Sequence, residues 1–123
     1  MLRVGTGNSK VDNWAAGGLA IGIDLEKKSL CEYGFYKPNH GTKTAIHPNT
    51  GIRFKDYPIP YLKEAIDLAI NFHKLLPGIH SIGWDIAITT NGPIFIEGND
   101  NWENSLVEAC SHGLQSDFKR LFY

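Results

Sequence analysis

Only two cysteines occur in the chain, Cys31 and Cys110, far apart and outside any CxxC pair. A structural zinc site or a disulfide framework would need closely spaced or more numerous thiols, so neither is expected. No apolar run approaches the roughly 18 residues of a membrane-spanning helix, and no secretory leader is visible. An excess of one charge is missing too. Twelve Lys+Arg against 13 Asp+Glu leave a formal net charge of −1. A nucleic-acid binder or a basic membrane-surface protein would carry a larger imbalance. Internal repeats and low-complexity tracts are absent. These absences make a reducing cytoplasmic setting the default, with no nucleic-acid partner and no membrane span expected.

What is present is ordinary for a folded chain: 123 residues, 42% apolar and 20% charged. A chain of this size buries roughly two-thirds of its extended surface, enough for one core. It suits a single domain spanning residues 1–123, or a fragment of a larger one. The opening MLRVGTG reads as a strand from its second residue, which suggests a fragment that begins inside a larger fold.

Residues 2–6 and 17–24 read as strands separated by a polar loop from Gly7 to Ala16. Residues 29–36 pair with 17–24 as a hairpin across Leu25–Lys28. Residues 37–58, rich in Pro, Gly, Asn and Thr, read as a long loop with short paired segments. From Pro60 the period changes. Leu62, Ala65, Ile66, Ala69, Ile70, His73 and Leu76 recur at helical steps. Pro60 suits the first turn of that helix, and Pro77-Gly78 stops it. Two strands flank Asn91-Gly92, and the tail carries a helix through Leu106, Cys110 and Gly113-Leu114, then a shorter turn ending at Tyr123. The pattern is α+β, a mainly antiparallel sheet with helices packed on one face.

The strands around Asn91-Gly92 hold an unusual set. Even positions Trp84, Ile86, Ile88, Ile94 and Ile96 are large and apolar, whereas Asp85, Glu97 and Asn99 fall on odd positions. Side chains alternate faces along a strand, so the register decides whether the polar groups meet. A two-residue turn at Asn91-Gly92 throws Asp85 onto the face away from Glu97. A three-residue loop, Thr90-Asn91-Gly92, places Asp85 opposite Glu97 and gathers the five apolar residues under the helix. Gly92 would supply the left-handed residue that this loop demands. Two carboxylates and an amide oxygen are hard ligands of the kind Mg²⁺ takes. On this reasoning the metal site stands or falls with the three-residue loop.

An Asp followed by a Gly-containing turn and then Glu-x-Asn resembles the ATP-grasp superfamily of carboxylate–amine ligases. The loop from Asp12 to Gly18 (DNWAAGG) is similar to that superfamily's Asn-x-x-x-Gly-Gly loop beside the acceptor site. Arg3 occupies the neighbourhood of its phosphate-facing arginine. HPNTG (His47 to Gly51), the helix and GWDIAITTNGPIFIEGNDNW together look like the sugar-transfer-associated branch. The resemblance spans about residues 2 to 105 and implies the C-terminal subdomain of the fold, with the N-terminal subdomain absent.

It also implies a chemistry. ATP would phosphorylate a small-molecule carboxylate, and an amine or similar nucleophile would attack the acyl phosphate. Asp85, Glu97 and Asn99 would hold Mg²⁺, with Mn²⁺ as an alternative, and Arg3 would steady the transferring phosphoryl group. Asn13 and the Gly17-Gly18 backbone would line the reacting end. The isolated half is expected to bind ATP weakly and not to turn over, its partner being the missing N-terminal half. Two other readings compete: a non-catalytic binding module that keeps the fold, and an ATP-grasp phosphotransferase.

Other residues carry blander expectations. Cys31, His40 and His47 are too irregularly spaced for a metal centre, and His47 belongs to turn architecture or a substrate-loop contact. His73 is a satisfied, partly buried histidine, Lys37 and Lys43 are solvated, Cys110 is core, and Trp102 packs under the last helix rather than capping a site.

Overall fold

Alternation of Leu19, Ile21 and Ile23 with smaller residues makes a strand that can lose all contact with water, and it becomes the centre of a sheet. The computed structural model describes residues 1–8, 13–110 and 115–122. Asp12, Gly113-Leu114 and Tyr123 lie outside the described residues. The chain divides into two compact units, Met1–Pro58 with Asn104–Tyr123, and Ile59–Glu103.

The first unit holds a four-stranded antiparallel sheet in the order β1 (Leu2–Val4), β2 (Leu19–Asp24), β3 (Ser29–Tyr36), β4 (Lys43–Thr44). β1 stops at Val4, two residues short of the expected strand. β2 and β3 form the expected hairpin, and Asp24 Oδ1 closes its turn by accepting from the Glu26 and Lys27 amides. Leu19 and Ile21 are 0% exposed and lie with Leu30, Phe54 and Trp14 in the core. The Trp14 indole is buried at no polar cost, because its Nε1 donates to the Phe35 carbonyl at 2.9 Å. The 37–58 segment contains the expected short pairings: β4 against β3, and bridges Ile46–Arg53 and Ser29–Pro58. Helix α1 (Leu62–His73) belongs to the second unit. Helices α2 (Ser105–Cys110) and α3 (Gln115–Phe122) follow it in sequence. α2 packs on β2 and β3 over Gly22, where a Cβ would come within 2.7 Å of the Cys110 carbonyl. Cys110 is half-exposed rather than core, and its partial burial pushes the thiol pKa up to about 11, opposed by the N-terminal ammonium and aided by the neighbouring Cys31.

The second unit pairs helix α1 (Leu62–His73) with the antiparallel hairpin β5 (Gly83–Thr89) and β6 (Gly92–Asn99). Pro60 stands ahead of the helix rather than in its first turn. Tyr61 is the cap residue, at φ 55, and its hydroxyl donates to the Thr90 carbonyl at 3.3 Å. Gly78, at φ 89, marks the stop after His73. His73 is half-buried and satisfied, its Nε2 donating to the Ile79 carbonyl at 3.0 Å.

The helix covers less than its apolar stripe predicts. Leu62 and Ala65 are buried, but Ile66, Ile70 and Leu76 remain exposed. Phe72, outside the expected stripe, does the packing, with its ring centroid 4.6 Å from Phe95 and 6.0 Å from Trp84. The fold is α+β with antiparallel sheets, as expected, although the strands form two sheets rather than one. No helix among the described residues is long and apolar enough to cross a membrane.

Candidate functional site

The hairpin corrects the expected turn and keeps the expected pairing. Thr89 pairs with Gly92, so the loop is two residues, Thr90-Asn91, and not the three-residue Thr90-Asn91-Gly92. The Thr89 hydroxyl closes it, donating to the Gly92 carbonyl at 2.7 Å and accepting from the Asn91 amide at 3.1 Å. Gly92 does adopt a positive φ, 112°, but as the first residue of β6. Ile88 then faces Pro93, Ala87 faces Ile94, and Ile86 faces Phe95.

Uninterrupted, this register would part the carboxylates. A shift between Asp85 and Ile86 intervenes, with Ile96 as the extra residue, and beyond it Asp85 faces Glu97, Trp84 faces Gly98 and Gly83 faces Asn99. A bulge of this kind re-aims the side chains that follow it. The three-residue loop is overturned, whereas the Asp85–Glu97 pairing it was invoked to secure is present. The stated condition was too strong, because a bulge restores what the turn removes.

The faces change accordingly. Phe95, not Ile94 or Ile96, joins Trp84 on the helix side, with ring centroids 5.0 Å apart. Ile94 and Ile96 are 52% and 62% exposed. The three rings cluster although Phe72 stays 47% exposed and Trp84 and Phe95 are half-buried, each ring pair adding about 0.5–1.5 kcal/mol beyond its area. Packing also decides where the Trp84 ring lies, since its buried Nε1 has no hydrogen-bond partner.

On the opposite face the Asn99 amide donates to Glu97 Oε1 at 3.2 Å. Glu97 and Asn99 are exposed and Asp85 is half-buried. Glycine between Glu97 and Asn99 is a steric requirement, since a Cβ at Gly98 would stand 2.4 Å from Cζ3 of Trp84. Trp102 packs within its own unit. It lies against Gly83, where a Cβ would meet its Cβ at 2.5 Å, and its Nε1 donates to Ser81 Oγ at 2.8 Å. Gly83 shares the face of Asp85, Glu97 and Asn99, so Trp102 walls the polar end of the hairpin.

The donor set fits Mg²⁺ by its chemistry: two carboxylates facing one another and an amide whose nitrogen is turned to Glu97, leaving its oxygen as the donor atom. Among the described residues no group of three or more His, Cys, Asp or Glu side chains gathers to hold a metal. A cation at this hairpin would therefore take its other ligands from phosphate oxygens and water.

Arg3, Asn13, Gly17 and Gly18 belong to the first unit. Arg3 is half-buried on β1 opposite Ala20. Asn13 caps a 3₁₀ turn, Trp14–Ala16, its Oδ1 accepting from the Ala15 amide at 2.9 Å. Gly17, at φ 94, needs to be glycine, and its N–H is spent on the Trp14 carbonyl. The Gly18 N–H is spent on the Asn13 carbonyl at 3.1 Å. Neither glycine has an N–H to offer a ligand. Lys43 is not simply solvated, since its ammonium lies 4.2 Å over the Tyr33 ring.

Sequence reasoning missed the bulge at Ile96 and the indoles over Gly98 and Gly83. Glycine standing within otherwise regular strands was the available signal. A family model described as sugar-transfer associated ATP-grasp matches residues 1–121. No curated protein and no solved structure matches the chain.

Proposed function

The chain belongs to the sugar-transfer associated ATP-grasp family, and we propose that it serves an ATP- and Mg²⁺-dependent ligase acting on a small-molecule carboxylate in surface saccharide assembly. The observation that carries the reading is the hairpin face on which Asp85 opposes Glu97 and Asn99 bonds to Glu97. In the proposed reaction a carboxylate oxygen attacks the γ-phosphorus of ATP, and ADP leaves. A nucleophile such as an amine then attacks the acyl carbon, loses a proton, and displaces phosphate.

Asp85, Glu97 and Asn99 hold the cation in this scheme. Mg²⁺, or Mn²⁺ in its place, supplies neutralisation of the phosphate charge. Arg3 presents planar donors suited to the oxygens of the transferring group. Asn13 contributes its side-chain nitrogen, since its oxygen caps the turn. Gly17 and Gly18 contribute close approach of bare backbone rather than hydrogen bonds.

Two measurements test the reading. Calorimetry with Mg²⁺-ATP should show weaker binding to Glu97→Gln than to the unmodified chain. Mn²⁺ should broaden the amide resonances of Asp85, Glu97 and Asn99 by paramagnetic relaxation, and Glu97→Gln should abolish the effect. Equal, measurable Mg²⁺-ATP affinity for both proteins, with unchanged broadening, would overturn the metal assignment.

A further inference from the structure

The HPNTG turn is tied to Gly5–Gly7, the arm that follows β1. His47 Nε2 lies 2.9 Å from the Gly5 carbonyl, which can only accept, so this nitrogen carries the proton. His47 Nδ1 accepts from the Asn49 and Thr50 amides, at 3.3 Å each. Both ring nitrogens are therefore committed, and the ring meets the buried Phe54 edge-on at 6.4 Å. That excludes His47 as a ligand to substrate or metal and makes it a strut rooted in the core.

Asn49 grips Gly7 as a neighbouring strand would. Its Oδ1 accepts from the Gly7 amide at 2.7 Å and its Nδ2 donates to the Gly7 carbonyl at 3.2 Å. Between these two glycines, the Thr6 hydroxyl donates to the Gly17 carbonyl at 2.6 Å. Gly5–Gly7 is thus held by the turn and by Gly17 together. One end of this arm continues β1, which carries Arg3, and Gly17 stands just ahead of β2. The turn itself is braced by His47 N–H to the Ile52 carbonyl, 2.8 Å, and Gly51 N–H to the His47 carbonyl, 2.9 Å.

We propose that His47 and Asn49 are positioning residues, a clamp that sets Gly5–Gly7 and through it holds Arg3 and Gly17 where the phosphate end of ATP is received. The proposal rests on the phosphate role given to Arg3 above. A carboxamide paired to both backbone groups of one residue resists rotation about that residue, so Arg3 sits on a strand whose far end cannot pivot. Losing the clamp should act on the γ-phosphate contact selectively, because ADP lacks the group that Arg3 meets.

The test compares Mg²⁺-ATP with Mg²⁺-ADP affinity by calorimetry for the unmodified chain, Arg3→Ala, Asn49→Ala and the double variant, with hydrogen exchange followed at the Gly7 amide. Asn49→Asp, nearly isosteric and still able to accept from Gly7 N–H, serves if Asn49→Ala does not fold. Nitrogen NMR of the His47 ring should show protonated Nε2 and bare Nδ1. Arg3→Ala is expected to lower the ATP-to-ADP affinity ratio about tenfold, as loss of one charge-assisted contact would. Asn49→Ala should speed exchange at Gly7 and lower the ratio comparably, and the double variant should fall no further than either single one. Fast Gly7 exchange with an unchanged ratio in Asn49→Ala overturns the clamp while leaving the role of Arg3 intact. An unchanged ratio in Arg3→Ala, or no nucleotide binding by the unmodified chain, overturns both.

Discussion

Gly98→Ala should damage the proposed metal site from its apolar side. The added Cβ would stand 2.4 Å from Cζ3, 2.7 Å from Cε3 and 3.2 Å from Cη2 of Trp84. Carbon atoms pack at about 3.5–4.0 Å, so the ring must withdraw by about an ångström. Phe72 and Phe95, with centroids 6.0 and 5.0 Å away, stand against it on the helix side. Overpacking of this kind costs about 1–3 kcal/mol, and weakened aromatic contacts add about 0.5–1 kcal/mol. At this chain length about 2 kcal/mol corresponds to a fall in melting temperature of roughly 8 °C. Thermal unfolding followed by circular dichroism measures it, and a double-mutant cycle with Trp84→Leu identifies the cause. If the indole is what the methyl strikes, Gly98→Ala should cost little in the Trp84→Leu background. A cost below about 0.5 kcal/mol, or an equal cost in both backgrounds, refutes the reasoning.

Three further predictions address the hairpin register and the half-exposed Cys110 thiol. Phe95→Ala should destabilise the chain by about 2–3 kcal/mol in urea unfolding, and Ile94→Ala by less than about 0.5 kcal/mol. The opposite order would indicate the register of a three-residue loop. Because Cys110 titrates near 11 rather than its ordinary 9.0, its thiolate fraction at pH 8 is lowered about 100-fold, so iodoacetamide should modify it far more slowly than a free thiol. The raised pKa favours the neutral form in the fold. That contribution to stability is complete below pH 9.0 and is lost as pH rises through about 11, so urea midpoints should fall across this window and fall less in Cys110→Ser.

Much of the architecture was legible because it depends on local pattern. Helical spacing of apolar residues placed α1, and the Pro77-Gly78 stop bounded it. Paired β-type runs placed β2 and β3, and the Asp85…Glu97-Gly98-Asn99 series carried the family resemblance. Coverage of α1 was not legible. Spacing marks a stripe that can be buried, but Phe72 won the contact with Trp84 and Phe95 while Ile66 and Ile70 stayed exposed. The His47–Asn49 clamp joins residues 42 positions apart, and no local rule announces such a pair.

The hairpin divides the two kinds of information. The sequence by itself determined that two carboxylates and an amide would lie in strands flanking a tight turn, because residue types and β propensity are local properties. Parity alone could not settle which of them would meet, because one unpaired residue inverts every face beyond it. Only the tertiary structure decided that. An aromatic cluster drew Phe95 inward and set the turn at Thr90-Asn91, and the bulge at Ile96 turned Glu97 back to face Asp85.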